Sequence, residues 1–243
     1  MKRTVPMAAA LALCAGTALA APPGAPDWVY GDGDLPEKWS ITNEAYATCD
    51  VGMMQSPIDL GEANAIGEVD LATSYGEAAG TVMAGPGKVQ VDVEPGMGMI
   101  SGDRLFSLLQ FHFHTPAEHK LDGERHPLVV HLVHGSREGR FAVLGIMFEE
   151  GDENPALDAI ISGIGSDDAV TVDVAAMLPD EVEVYRYMGS LTTPPCTEGV
   201  NWHVADETVE ASAAQIAAMR ARLGTSNRSI QPLNNRLVVA PGD

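Results

Sequence analysis

The segment Gln110-Phe111-His112-Phe113-His114 carries the clearest chemical potential in the chain. In a strand, successive side chains point to opposite faces, and residues two apart lie about 6.5–7 Å from each other. Gln110, His112 and His114 then share one face, with Phe111 and Phe113 on the other. Two imidazoles so placed can reach one ion through short metal–nitrogen bonds. His131 lies in the next apolar run, Val129-Val130-His131-Leu132-Val133-His134. An antiparallel neighbour can set His131 opposite the pair, with Val129 and Val133 on its own face. His134 is three residues on, points the other way and reads as structural. Three neutral imidazoles leave a fourth tetrahedral position for water, the donor set of a catalytic rather than a structural zinc. Magnesium or calcium would want carboxylates, and this face offers none. A strand histidine is more often a hydrogen-bonded core or surface residue, so the rest of the chain has to decide.

The elements that would position these residues are mostly strands. Val89 to Val93 alternates apolar and polar, as a half-buried strand does. Leu108 to Thr115, Leu128 to His134 and Phe141 to Phe148 are apolar, rich in β-branched or aromatic residues, and bounded by Gly, Pro or charged turns. Two stretches read as helices. Asn154-Pro155 offers a cap and a first-turn proline before Ala156 to Ile161. Ser212-Ala-Ala-Gln215 is a capping box ahead of an Ala/Met/Arg helix that Gly224 would stop. No interior linker or repeat divides the chain, so one domain is expected over 21–243, with 21–26 a flexible Pro/Ala-rich tail.

Composition sets the compartment and excludes some partners. Lys2 and Arg3, an apolar run from Met7 to Gly16, and Ala18-Leu19-Ala20 read as a signal peptide over 1–20. A lipid anchor at Cys14 is the alternative, and Leu13 before it fits such processing poorly. No apolar run is long enough to cross a bilayer as a helix, so no membrane anchor is expected. Removing Lys2 and Arg3 from the 14 basic residues leaves 12 against 34 acidic, a formal charge of about −22. Such a surface repels nucleic acid and anionic lipid. A periplasmic or secreted location follows. Cys49 and Cys196 remain after processing, and two thiols in an exported protein more often form a disulfide than a metal site.

The chain resembles an α-class carbonic anhydrase over nearly all of its mature length. The resemblance rests on Trp28-Val-Tyr30-Gly31, Pro36-Glu-Lys-Trp39, Gln55-Ser-Pro-Ile-Asp59, Gln110 to His114, Ala117-Glu118-His119, Val130 to His134 and Val143-Leu-Gly145. Gly189 to Gly199 and Asn227-Arg228 through Gln231-Pro-Leu-Asn234-Asn-Arg236 complete the set. It implies a mainly β (α+β) single domain: a large, twisted, mostly antiparallel sheet with short peripheral helices. It implies His112, His114 and His131 as zinc ligands, with Gln110 behind them. Thr192 would accept a hydrogen bond from zinc-bound hydroxide and give its own proton to Glu118. Val133, Val143, Leu191, Val200 and Trp202 would wall an apolar pocket for carbon dioxide, with Thr193 touching substrate or bicarbonate. Cys49 and Cys196 match the disulfide of bacterial and secreted members. The implied reaction is reversible hydration of carbon dioxide by zinc-hydroxide attack, inhibited by sulfonamides and anions.

Two positions depart from the family pattern. Family members carry a glutamate two residues before the third ligand, which accepts that histidine's second ring proton; here the residue is Val129. Weaker zinc retention and a more acidic zinc-bound water are expected. Fast members carry a shuttle histidine near the pocket mouth, where this chain reads Gly85-Pro86-Gly87-Lys88, with Gly87 at the shuttle position. A catalytically silent binding or scaffold module on the same fold is therefore the alternative. A zinc peptidase is disfavoured, because no His-Glu-x-x-His pattern occurs.

Overall fold

The computed structural model describes residues 28–31 and 37–242. The expected signal peptide and flexible tail lie outside these residues. In chain order the strands are β1 (Ala65–Ile66), β2 (Leu71–Ser74), β3 (Glu77–Gly80), β4 (Val82–Gly85), β5 (Lys88–Asp92), β6 (Gly98–Ser101) and β7 (Arg104–His114). They continue as β8 (Leu128–Gly135), β9 (Phe141–Glu150), β10 (Val170–Asp173), β11 (Val184–Ser190), β12 (Glu198–Ala205), β13 (Val209–Ala211) and β14 (Val238–Ala240). The α-helices are short: α1 (Trp39–Thr42), α2 (Ala47–Val51), α3 (Pro155–Gly163) and α4 (Ala213–Leu223).

One 12-stranded sheet dominates, running β1-β14-β11-β12-β9-β8-β7-β5-β4, and β3 pairs β10 in a separate ribbon. The large sheet is antiparallel except where β12 and β13 pair β9, and β1 pairs β14, in parallel. One of its central strands is β8, buried along Leu128 to His134. A strand between two others, with both faces covered, is apolar nearly throughout, as this one is. The period of two still sorts its side chains. Leu128, Val130 and Leu132 enter one core cluster with Phe111, Phe113, Leu144 and Phe148, which α3 and α4 cover through Leu157, Ile160, Met219 and Leu223. Val129 and Val133 enter a second cluster with Val143, Met147, Val200 and Trp202. Phe113 is 1% exposed, and truncating it to alanine would cost roughly 3–5 kcal/mol. The aromatic residues between the histidines thus anchor β7 and fix which face the imidazoles occupy.

Both helix ends read from the sequence are formed. Asn154 Oδ1 accepts from the amides of Ala156 and Leu157 with Pro155 in the first turn, and Ser212 and Gln215 make a reciprocal capping box. Gly224 ends α4 at φ 62°, where a glycine is needed. A disulfide joins Cys49 to Cys196, 147 residues apart.

The α-helix-covered side of the sheet holds two buried histidines that the site does not use. His134 Nε2 lies 2.8 Å from the Tyr75 hydroxyl, and His203 Nε2 lies 2.9 Å from Ser101 Oγ. Burial pushes His134 down to about 4 and His203 down to about 3. Each stays neutral when folded and protonates near 6.5 when unfolded. The unfolded chain therefore binds more protons between about pH 4 and 6.5, and stability falls on acidification through that window. Each histidine contributes about 1.4 kcal/mol per pH unit there. Urea unfolding between pH 7.5 and 5 should show this slope, reduced by about one proton in the His203→Gln variant; an unchanged slope would contradict it.

Candidate metal centre

The register of the central strands assembles the site in two adjacent rows. Across the sheet, Gln90 faces His112, His112 faces His131, His131 faces Gly145, and Gly145 faces Val204. The next row runs Gln110, Val133, Val143, Trp202, Tyr187. The first row with His114 supplies the nitrogen donors, and the second supplies an apolar wall beside them. Between Leu108 and Gln110 the β7–β8 ladder shifts register. That shift lets Leu108 enter the helix-covered core while Gln110, His112 and His114 stay on the site face.

Ring centroids are 5.0 Å apart for His112 and His114, 5.4 Å for His112 and His131, and 4.8 Å for His114 and His131. One donor atom from each lies within 4.8 Å of the others. Hydrogen bonds fix which nitrogen faces inward. His112 Nδ1–H donates to Gln110 Oε1 at 2.9 Å, and His114 Nδ1–H donates to the Ser226 carbonyl at 2.5 Å. Both rings therefore keep an Nε2 lone pair. His114 Nε2 and His131 Nδ1 lie 3.5 and 3.8 Å from the same oxygen, Glu118 Oε2, so they open onto one space. Burial, with His114 and Lys88, holds His112 well below its ordinary range; burial with His114, His112 and His119 does the same for His131. Converging imidazoles with an orphaned buried His114 Nε2 are the donor set a zinc ion takes, and the residues fit that ion.

Glu118 is wholly buried, and its Oε1 accepts the Arg228 amide at 2.9 Å. Its Oε2 has no hydrogen-bond partner among the described residues, so the bond from Thr192 implied by the resemblance is not formed. Thr192 is buried and Thr193 half-buried at the end of β11. Val133, Val143, Val200 and Trp202 are core residues of the second cluster, and Leu191 packs on it. Trp202 sits 4.9 Å from the His131 ring and donates its Nε1–H to the Ser190 carbonyl at 2.8 Å.

Several supports escaped the sequence reading. Arg228 donates to Gln55 Oε1, the Ser56 carbonyl and the Cys49 carbonyl, tying the 49–56 segment to the C-terminal segment behind Glu118. The quoted segments containing Gln55 and Arg228 were the available signal, since neither had a role of its own. Ser226 had none. Pro86 and Gly87 form a two-residue turn between β4 and β5, with Gly87 at φ 67°. A positive φ suits glycine there and would strain any side chain.

The fold and site together define a β-sheet enzyme domain built around a three-histidine metal centre. The eukaryotic-type carbonic anhydrase family matches residues 34–241. A carbonic anhydrase of Pectobacterium carotovorum is 36% identical over 220 residues, covering 87% of this chain and 90% of the relative. Among solved structures, the α-carbonic anhydrase of Thermovibrio ammonificans with the inhibitor sulfanilamide superposes with a TM-score of 0.76 at 34% identity, covering 83% of this chain and 93% of that one. A dioscorin complexed with ascorbate also superposes with a TM-score of 0.76, at 30% identity, covering 84% of this chain and 92% of that one. The chain belongs to the eukaryotic-type (α) carbonic anhydrase family, an enzyme family of carbon dioxide hydration.

Proposed function

We propose that His112, His114 and His131 hold a zinc ion and that the chain converts carbon dioxide and water reversibly to bicarbonate and a proton. The observation that carries this reading is the convergence of the three donor atoms within 4.8 Å, beside a row of apolar side chains. Zinc bound there supplies a Lewis acid that makes water nucleophilic near neutral pH. The chain's own residues do the rest. Gln110 and the Ser226 carbonyl hold the Nδ1 protons of His112 and His114, which keeps Nε2 free for the metal. Val133, Val143, Leu191, Val200 and Trp202 offer carbon dioxide, linear and nonpolar, a wall without hydrogen-bonding demands. Glu118 Oε2, which has no hydrogen-bond partner among the described residues, would accept a hydrogen bond from the Thr192 hydroxyl. A hydroxyl with its one proton so engaged can only accept, which orients the attacking water's hydrogen toward Thr192. Thr193, next in the loop, would contact bicarbonate.

Zinc titration of metal-free protein, with sulfanilamide as the probe ligand, tests the site. One zinc per chain and metal-dependent sulfanilamide binding are expected; binding independent of metal would contradict the reading. The dioscorin relative supports a second reading, a ligand-binding module without turnover. The disulfide supports an exported, periplasmic or secreted protein.

Proton export is expected to limit turnover. The Pro86–Gly87 turn carries no titratable side chain. Imidazole-type buffers should raise kcat with saturation while leaving kcat/KM unchanged. Turnover independent of buffer concentration would contradict this.

A further inference from the structure

Two buried nitrogens at the ligand cluster have no hydrogen-bond partner among the described residues: His131 Nε2 and His119 Nδ1. Their residues are 1% and 0% exposed. Both rings pack on Trp202, at 4.9 and 4.7 Å, and their own centroids are 6.2 Å apart. A buried polar atom left unpaired loses its hydration with nothing in return, so two in one place call for something that satisfies both. The nearest side chain on His131's own face of β8 is Val129, which has no polar atom. On β9 the residue opposite His131 is Gly145. A Cβ at Gly145 would lie 3.6 Å from His131 Cδ2, the carbon bonded to Nε2, so the residue opposite brings no side chain over that edge. His119 is fixed from its other side. Its Nε2 lies 2.7 Å from the Tyr187 hydroxyl, itself 2.8 Å from Ser56 Oγ, and Ser56 Oγ accepts the Ser190 amide at 3.1 Å.

We propose that one buried water bridges His131 Nε2 and His119 Nδ1, which makes His119 a positioning residue for the metal ligand His131. A buried water takes two to four polar partners, and these two nitrogens are the minimum set. The Tyr187–Ser56–Ser190 chain holds His119, the water passes that orientation to His131, and the ring stays aimed at the metal. The inference rests on the reading that the three histidines hold zinc.

Zinc release from loaded protein to a chelator separates the possibilities. His119→Phe should speed release about tenfold, and Val129→Glu should slow it about tenfold, because a carboxylate would take the His131 Nε2 proton and displace the water. In the Val129→Glu background His119→Phe should matter much less, since His131 is then held directly. Equal acceleration in both backgrounds would mark His119 as merely structural and overturn the proposal. A crystal structure of the zinc-loaded protein gives a readout that needs no variant to fold. Density within hydrogen-bonding distance of both nitrogens is expected, and a dry contact there would overturn the proposal. Failure of the unaltered chain to bind zinc would overturn this inference and the functional reading together. Stoichiometric zinc with uncoupled variants would sink only the inference.

Discussion

Replacing His131 with alanine is expected to lower carbon dioxide hydration by about three orders of magnitude or more, with loss of zinc from the purified protein. His131 is the only ligand from β8, and it stands directly across from His112. Its removal leaves His112 and His114, two donors on one strand, and a catalytic zinc site needs three. Burial sharpens the effect. The site lies in the second core cluster beside Trp202, so a water replacing the lost ligand would sit against apolar walls. The fold itself should persist, because Phe111, Phe113, Val130 and Leu132 belong to the other core cluster. Metal content, hydration rate and circular dichroism on one preparation check this. A folded variant retaining both zinc and activity within tenfold of the parent would contradict the ligand assignment.

On the proposed mechanism, in which Thr192 donates to Glu118 Oε2, replacing Glu118 with glutamine is expected to lower kcat by about 10²-fold while zinc stays bound, the scale of losing one hydrogen bond at a reacting centre. The argument turns on proton direction. A glutamine oxygen can still accept the Arg228 amide that Glu118 Oε1 takes at 2.9 Å, so the backbone around it should hold. The amide nitrogen then occupies the place of Oε2 and donates rather than accepts. Thr192 would have to turn its proton toward the metal, where an acceptor is needed. Thr192→Val, which keeps the shape and removes the hydroxyl, should show a loss of similar size. The double variant should be little worse than either alone, since both remove one interaction. Additive losses would mean that Glu118 and Thr192 act separately.

What the sequence disclosed follows how far each feature reaches along the chain. The shared face of Gln110, His112 and His114 is a consequence of the strand period, and Asn154, Ser212 and Gly224 mark helix ends through contacts within four residues. Opposition of His131 to His112 needed one further assumption, an antiparallel neighbour, which β7 and β8 satisfy. The parallel pairing of β12 with β9 could not be read locally. Strands that far apart in the chain meet only through tertiary packing, yet this pairing is what brings Trp202 beside Val143. Ser226 and Arg228 act on His114 and Glu118 through main-chain groups, and every residue carries those. Val129 was legible as a missing acceptor. That His119 Nδ1 shares the unpaired space was not, because His119 comes from the loop after β7.

The most direct test of the central claim is stopped-flow carbon dioxide hydration on the disulfide-bonded protein lacking residues 1–20, with zinc assayed and sulfanilamide titrated on the same sample. Sulfanilamide-sensitive hydration with about one zinc per chain is the predicted result. Full zinc occupancy without hydration would contradict the catalytic reading and favour a binding module on this fold.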